Sequence, residues 1–267
     1  MGTLVTNHPQ HNRLSNEHQC SLPEPHGLDL SRAAPSLLKD SPHCRPRSPW
    51  WSWSGKAIAA VEINSSFYRP HRTATYERWA ASVPENLLFA VKVPKAITHE
   101  LRLKDADDQL DCFLSEVSGL GPKLGPLLVQ LPPSLRFEDG VADSFLTELR
   151  ARVQGSIVCE PRHASWFTPE VEALLAELRI ARVAADPAPI PGADEPGGWR
   201  RLSYYRLHGS PRIYYSAYTT EYLAATAEVL ARDAAAGVET WCIFDNTAAF
   251  AATRNALTTR SLVQARL

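Results

Sequence analysis

From residue 58 onward the chain repeats one pattern, a short apolar run followed by an amphipathic segment of helical period. The runs are AAVEIN (59–64), LFAVKV (88–93), LLVQLP (127–132), SIVCEPRH (156–163), ARVAAD (181–186), SYYRLHG (203–209) and TWCIFDN (240–246). Between most of them lie TYERWAASV, DDQLDCFLSEVSGL, VADSFLTELRARV, TPEVEALLAELR and TEYLAATAEVLARDAA, with a last helical pattern from Ala248. Strands joined through helices pair in parallel, because a parallel neighbour needs a long crossover. The pattern therefore predicts an α/β fold, a parallel sheet with helices outside. Thr168-Pro169-Glu170 marks one helix start, a cap residue followed by Pro at the first helical position.

Strand side chains alternate faces, and parity separates two parallel-sheet architectures. Glu62 and Asn64 share a face, as do Ala90 and Lys92, and Leu128 and Gln130. The same spacing joins Val158, Glu160 and Arg162; Arg182, Ala184 and Asp186; Tyr204, Arg206 and His208; and Trp241, Ile243 and Asp245. Each run carries its polar residue near the C-terminal end. A doubly wound sheet gathers polar residues at one switch point. A (β/α)8 TIM barrel places them at the C-terminal mouth of every strand, and that is the fold expected here. A length of 267 residues suits it. Burying Glu62 and Asn64 inside a core strand would cost several kcal/mol unless they were paired; at a barrel mouth they face polar neighbours.

Composition excludes some partners. The net charge is −1, so neither a nucleic acid nor a membrane surface is indicated. No stretch approaches the roughly 18 apolar residues of a membrane span. MGTLVTNHPQ has no apolar core of a secretory signal, although Gly2 and Thr6 match the short myristoylation pattern. Five scattered cysteines without a CxxC pair fit reduced thiols, so a cytoplasmic location is expected. Residues 1–57 are rich in Pro, His, Ser and Arg and are expected to be an irregular or disordered extension, leaving 58–267 as the domain. Their His8, His11, His18, His26 and His43, with Cys20 and Cys44, match no zinc spacing, and Trp50, Trp51 and Trp53 read as cover for an apolar surface.

The expected mouth gathers the carboxylates Glu62, Glu160, Asp186 and Asp245 with Lys92, Arg162, Arg206 and His208. Such near-balance suits a small polar or anionic molecule. Glu160 is the first candidate for acid–base work, since burial would raise its pKa while Arg162 lowered it. Glu62 is the second carboxylate. Asp186, His208 and Asp245 are further catalytic candidates. Lys92 is either a nucleophile or the counter-ion of Glu62. Arg162 and Arg206 could clamp an anion bidentately. Asn64, Tyr68, His99, Gln130, Trp166 and Asn246 complete the candidate binding set. Structural ion pairs between Glu160 and Arg162, or between Arg206 and Asp186 or Asp245, remain an alternative. No HxH or HExxH spacing is present, so no cofactor is indicated; a divalent metal on His99, His208 and carboxylates stays open. The reading is an enzyme using acid–base chemistry on a carbohydrate-like or phosphorylated metabolite. The alternatives are a metal-dependent phosphodiester hydrolase and a non-enzymatic ligand-binding or partner protein. PAPIPGADEPGGW (187–199) replaces an expected helix and is a candidate lid.

Six motifs in order, VEINSSFYRPH, FAVKVPKAITH, LGPLLVQLPPS, CEPRHASWF, YYRLHGSPRIYYS and CIFDNTA, resemble the YecE-like family over about residues 58–260. The resemblance implies a (β/α)8 barrel and no particular reaction. The family's characteristic positions fall on Glu62, Asn64, Lys92, His99, Gln130, Glu160, Arg162, Trp166, Asp186, Arg206, His208, Gly209, Asp245 and Asn246. Its first strand, roughly Gly-Thr-Ser-Gly-Trp, has no counterpart in residues 1–57. An incomplete or divergent first strand is therefore expected, and with it two unpaired sheet edges.

Overall fold

The computed structural model describes residues 2–4 and 58–267. Its strands are β1 (Gly2–Leu4), β2 (Ala60–Ile63), β3 (Leu88–Lys92), β4 (Leu124–Gln130), β5 (Ile157–Glu160), β6 (Ile180–Arg182), β7 (Ala184–Asp186), β8 (Gly197–Gly198), β9 (Leu202–Leu207) and β10 (Glu239–Phe244). They form one sheet in the order β7-β9-β10-β1-β2-β3-β4-β5-β6-β8. Every pairing is parallel except those of β1 and β8. The connecting helices are α1 (Ser65–Tyr68), α2 (Thr73–Ala81), α3 (Asp107–Val117), α4 (Val141–Arg152), α5 (Pro169–Glu177), α6 (Thr220–Ala235) and α7 (Ala251–Gln264). The α5 start is as expected: Thr168 caps it by accepting from the Val171 amide, and Pro169 follows. No described helix is long and apolar enough to cross a membrane.

Both sheet faces are buried. One packs Val61, Phe89, Leu127, Ile157, Ile180 and their neighbours against the helices. The other carries Ala60, Ala90, Leu128, Val158, Ala181, Val183, Leu202, Tyr204, Trp241 and Ile243. The small residues on this second face make room for large ones. Tyr204 and Trp241 stack with ring centroids 6.0 Å apart. A Cβ on Gly125 would lie 2.6 Å from the Trp241 ring, so the glycine is what lets that ring approach β4. The β3–β4 register shifts at the same place.

The run ARVAAD (181–186) differs from the expectation of one strand. It is two strands separated by Val183: β6 pairs with β5 and β7 pairs with β9. Ala181 and Val183 face the second cluster. Arg182, Ala184 and Asp186, expected to point there, point the other way. Arg182 binds Glu172 of α5 and the carbonyls of Gly192 and Glu195, while Ala184 packs with Tyr205, Leu223 and Ala227. The hydrogen-bonded order does not close on itself; it ends at β7 and β8. What stands is an α/β fold built on a largely parallel sheet.

The missing first strand is replaced by another device. β1 lies between β2 and β10 and pairs antiparallel with both, Gly2 opposite Glu62 and Thr3 opposite Phe244. The expectation of an irregular extension otherwise concerns residues outside the described ones, as do the histidine, cysteine and tryptophan groups before residue 58. The candidate lid is tied down. Gly197–Gly198 pairs with Arg182 and Ala181, and Arg182 holds two of the segment's carbonyls.

Candidate active site

Arg206 organises the site. It lies on β9, two residues after Tyr204, and is 1% exposed. A guanidinium carries five donors in a fixed fork, and β2, β5 and the residue that follows β10 supply its acceptors. Its Nη2 and Nε bind Glu62 Oε1 and Oε2 at 2.7 and 3.1 Å, its Nη1 binds Glu160 Oε2, and its Nη2 reaches Asp245 Oδ2 at 3.3 Å. Tyr204 Oη donates to Glu62 Oε2 at 2.9 Å. Burial works against the Arg206 charge, but Glu62, Glu160 and Asp245 hold its pKa well above the ordinary value, so it is a fixed cation.

Glu160 is enclosed from both sides. Its Oε1 accepts from Gln130 Nε2 at 3.0 Å and from Arg162 Nε and Nη2 at 2.9 and 2.7 Å. Burial pushes its carboxyl up, yet Arg206, His208 and Arg162 together hold it well below the carboxylate range. A carboxylate held this way is a permanent negative charge, not a group that exchanges protons near neutrality.

His208 extends the cluster. Its Nδ1 lies 3.1 Å from Asp245 Oδ2 and its Nε2 lies 3.7 Å from Glu160 Oε1. The ring is 4% exposed, and Nε2 is enclosed without a hydrogen-bond partner. Burial lowers its pKa, but Asp245 and Glu160 outweigh that and raise it above 6.5. Burial raises the Asp245 carboxyl, but the His208 hydrogen bond and Arg206 bring it below its usual value.

These shifts set the part that the three groups play in the pH response of the fold. Glu160 and Asp245 have depressed folded pKa values, so their contribution is present above the unfolded carboxylate values of about 4 and is lost as pH falls through the folded ones. His208 is raised, so its contribution is complete below about 6.5 and is lost as pH rises through its folded value. Lys92, His71 and His99 have lowered values and act the other way, so His208 is read by difference. The gap in urea midpoint between wild type and His208→Gln should narrow as pH rises from about 6.5 to 9, and a gap that widens would contradict this charge arrangement.

Lys92, at the end of β3, stands apart. Glu62, its expected counter-ion, is taken by Arg206, and no carboxylate among the described residues lies within 4.0 Å of Lys92 Nζ. Its Nζ sits over the Phe67 ring, 3.9 Å from the centroid. Burial and then Arg206 lower its pKa, against Glu160 and Glu62, to about 8. His99 packs edge-on against Phe67 at 4.9 Å, its pKa lowered by burial and by the nearby Lys92 and Arg162 charges.

Not every candidate joins this cluster. Asp186 lies across the sheet, accepting from Tyr218 Oη at 2.7 Å. Trp166 is fully buried, its Nε1 donating to Leu135 O at 3.0 Å, so it packs a loop instead of facing a ligand. Asn246 has the opposite parity to Asp245 and ties Ser216 O to Asn255 Oδ1, each at 2.9 Å. Tyr68 is 71% exposed beside Phe67. Asn64, at the start of α1, has an enclosed Oδ1 without a partner. Phe67, an aromatic expected above the strands either to stack on a ligand or to pack a loop, lies under Lys92 Nζ. Tyr204 belongs to the site and was not among the expected site residues, although strand spacing from Arg206 points to it. No group of three or more His, Cys, Asp or Glu among the described residues is placed to hold a metal ion. The carboxylates that would do so surround the Arg206 guanidinium.

Fold and site together define an α/β protein with a buried charge network at the C-terminal ends of its parallel strands. The family described as "Protein of unknown function DUF72" matches residues 41–267, and the chain belongs to that family. It is 32% identical over 72 residues to the UPF0759 protein YecE of Escherichia coli strain K12, a match spanning 27% of this chain and 26% of that relative. A DUF72 family protein from Enterococcus faecalis V583 superposes with a TM-score of 0.69 at 22% identity, covering 80% of this chain and 92% of that one. One from Thermotoga maritima MSB8 gives 0.67 at 24% identity, with 80% and 88% covered. These structures share the fold.

Proposed function

We propose that the protein is an enzyme that performs acid–base chemistry on a small anionic metabolite at the C-terminal mouth of a (β/α)8 barrel. The run 180–186 stands at the seam of that barrel, its two halves bonded to strands at opposite ends of the order. The observation that carries the reading is His208, whose enclosed Nε2 makes no hydrogen bond, Glu160 Oε1 standing 3.7 Å away, while Asp245 holds Nδ1. A ring hydrogen-bonded at one nitrogen and without a hydrogen bond at the other can take up and release a proton. Glu160 is the fixed charge that favours the imidazolium, and Arg206 fixes Glu160. Arg162 and Lys92 make the rim cationic, which favours a phosphate or carboxylate over a neutral sugar. Buried Cys159 and Cys242 are free thiols, which fits the reducing cytoplasm.

The test is a thermal melt of the full chain against phosphate, sugar phosphates, mono- and dicarboxylates, neutral sugars, and Mg, Mn and Zn salts. An anionic ligand at about 100 times its Kd should raise Tm by about 5–10 °C. Arg162→Leu should abolish the rise, and neutral sugars should give none. A melt insensitive to every anion, or an equal rise in Arg162→Leu, would overturn the assignment. A rise with metals alone would point to the phosphodiester-hydrolase reading.

A further inference from the structure

Six lysines occur in the sequence, and four of them lie among the described residues. Lys95 pairs with Glu100 at 2.8 Å and Lys104 with Glu138 at 3.3 Å. Lys123 donates to the carbonyls of Ala80 and Val83 at 2.6 and 2.7 Å. Lys92 alone among the four has no oxygen partner. Its residue is 8% exposed, and Nζ is not one of the fully enclosed unpartnered atoms, so the amine itself keeps some exposed surface. Its backbone is fixed where Ser66 Oγ donates to Lys92 O at 2.7 Å. A desolvated amine without a carboxylate, facing an anion-attracting rim, is arranged for reaction and not for ion pairing.

We infer that Lys92 is a carbonyl-reactive amine, whose Nζ condenses with the aldehyde or ketone group of an anionic metabolite to form an imine. The inference rests on the anion site proposed above. The neutral Nζ attacks the carbonyl carbon and a C–N bond forms as the C=O pair moves to oxygen. The ammonium of that adduct passes one proton to the alkoxide, the His208 imidazolium gives a second to the resulting hydroxyl, water leaves, and a protonated C=N bond remains with His208 neutral. Arg162 holds the substrate's anionic group. Burial and the neighbouring arginines favour the neutral amine. At pH 7.4 roughly a fifth of such a lysine is unprotonated, against about 0.1% of an ordinary one.

The experiment is reductive trapping at pH 7.4. Full-length protein is incubated with pyruvate, glyoxylate or dihydroxyacetone phosphate and sodium cyanoborohydride, then mapped by peptide mass spectrometry. At least one compound should label the Lys92 peptide ten-fold or more faster than those of Lys95 and Lys104. Lys92→Arg, which keeps the charge but cannot form the imine, should lose that label. Labelling of Lys92 no faster than of Lys95 and Lys104, or no label on Lys92 in the wild-type chain, would overturn the inference. A Tm rise with these compounds without a Lys92 adduct would sink the imine and leave the anion site standing. Absence of both would sink both.

Discussion

Arg206→Met is expected to lower the unfolding free energy by about 3–5 kcal/mol at pH 7, read as a drop in the urea midpoint. The size follows from what remains. Glu62 and Glu160 are 0% and 1% exposed, and both lose their Arg206 hydrogen bonds at once. Glu160 keeps Arg162 and Gln130, and among the described residues Glu62 keeps only Tyr204 Oη as a side-chain donor. An uncompensated carboxylate in such a place takes up a proton or admits water. The loss should therefore shrink as pH falls toward 5, where protonation removes the unpaired charge. Adding Glu62→Gln to Arg206→Met should restore part of the stability, because the amide oxygen still accepts from Tyr204 and carries no charge. A single mutant with a wild-type midpoint would mean that the network is solvated and contributes nothing to stability.

The same network shows what could be read from the chain. Period-two spacing placed Glu62, Lys92, Gln130, Glu160, Arg206, His208 and Asp245 at strand ends on one face, and the structure gathers them. Parity failed in ARVAAD because one face is Ala181, Val183 and Ala185 and the other Arg182, Ala184 and Asp186, so the charged residues marked the face that turns out to point away. Only the partners of the strand decide the face, and those change at Val183. Asp186 at the end of that run then looked like a mouth residue, while its bond to Tyr218 comes from a residue 32 positions away. Trp166 and Asn246 fall within motif matches, and a motif does not say whether a side chain faces ligand or core. Nor does local sequence say which base each carboxylate takes. Arg206 and Lys92 were both available to Glu62, and the longer, planar fork of Arg206 took both oxygens. The strand Gly2–Leu4 was the least legible element. Three residues carry no period, and their pairing is set by the two strands that flank the space.

His208→Gln is expected to reduce turnover of the compound selected by the anion melt about 10²–10⁴-fold, the usual weight of one proton-transfer group. Glutamine can keep a hydrogen bond to Asp245 but cannot hold and release a proton. Arg162 and Lys92 are untouched, so the anion-induced Tm rise should persist. That pairing, binding kept and turnover lost, separates a proton carrier from a side chain that merely supports the pocket. Asp245→Asn supplies the second readout, free of any substrate. In the wild type Asp245 and Glu160 raise the His208 pKa against burial. With the Asp245 charge removed, burial gains ground, and the imidazole titration followed by NMR should move down. If His208→Gln turns over within ten-fold of wild type, the proton is carried by another group. Lys92 is then the remaining candidate, because it is the nearby base whose pKa, about 8, lies close to neutrality and which has no oxygen partner to hold its proton.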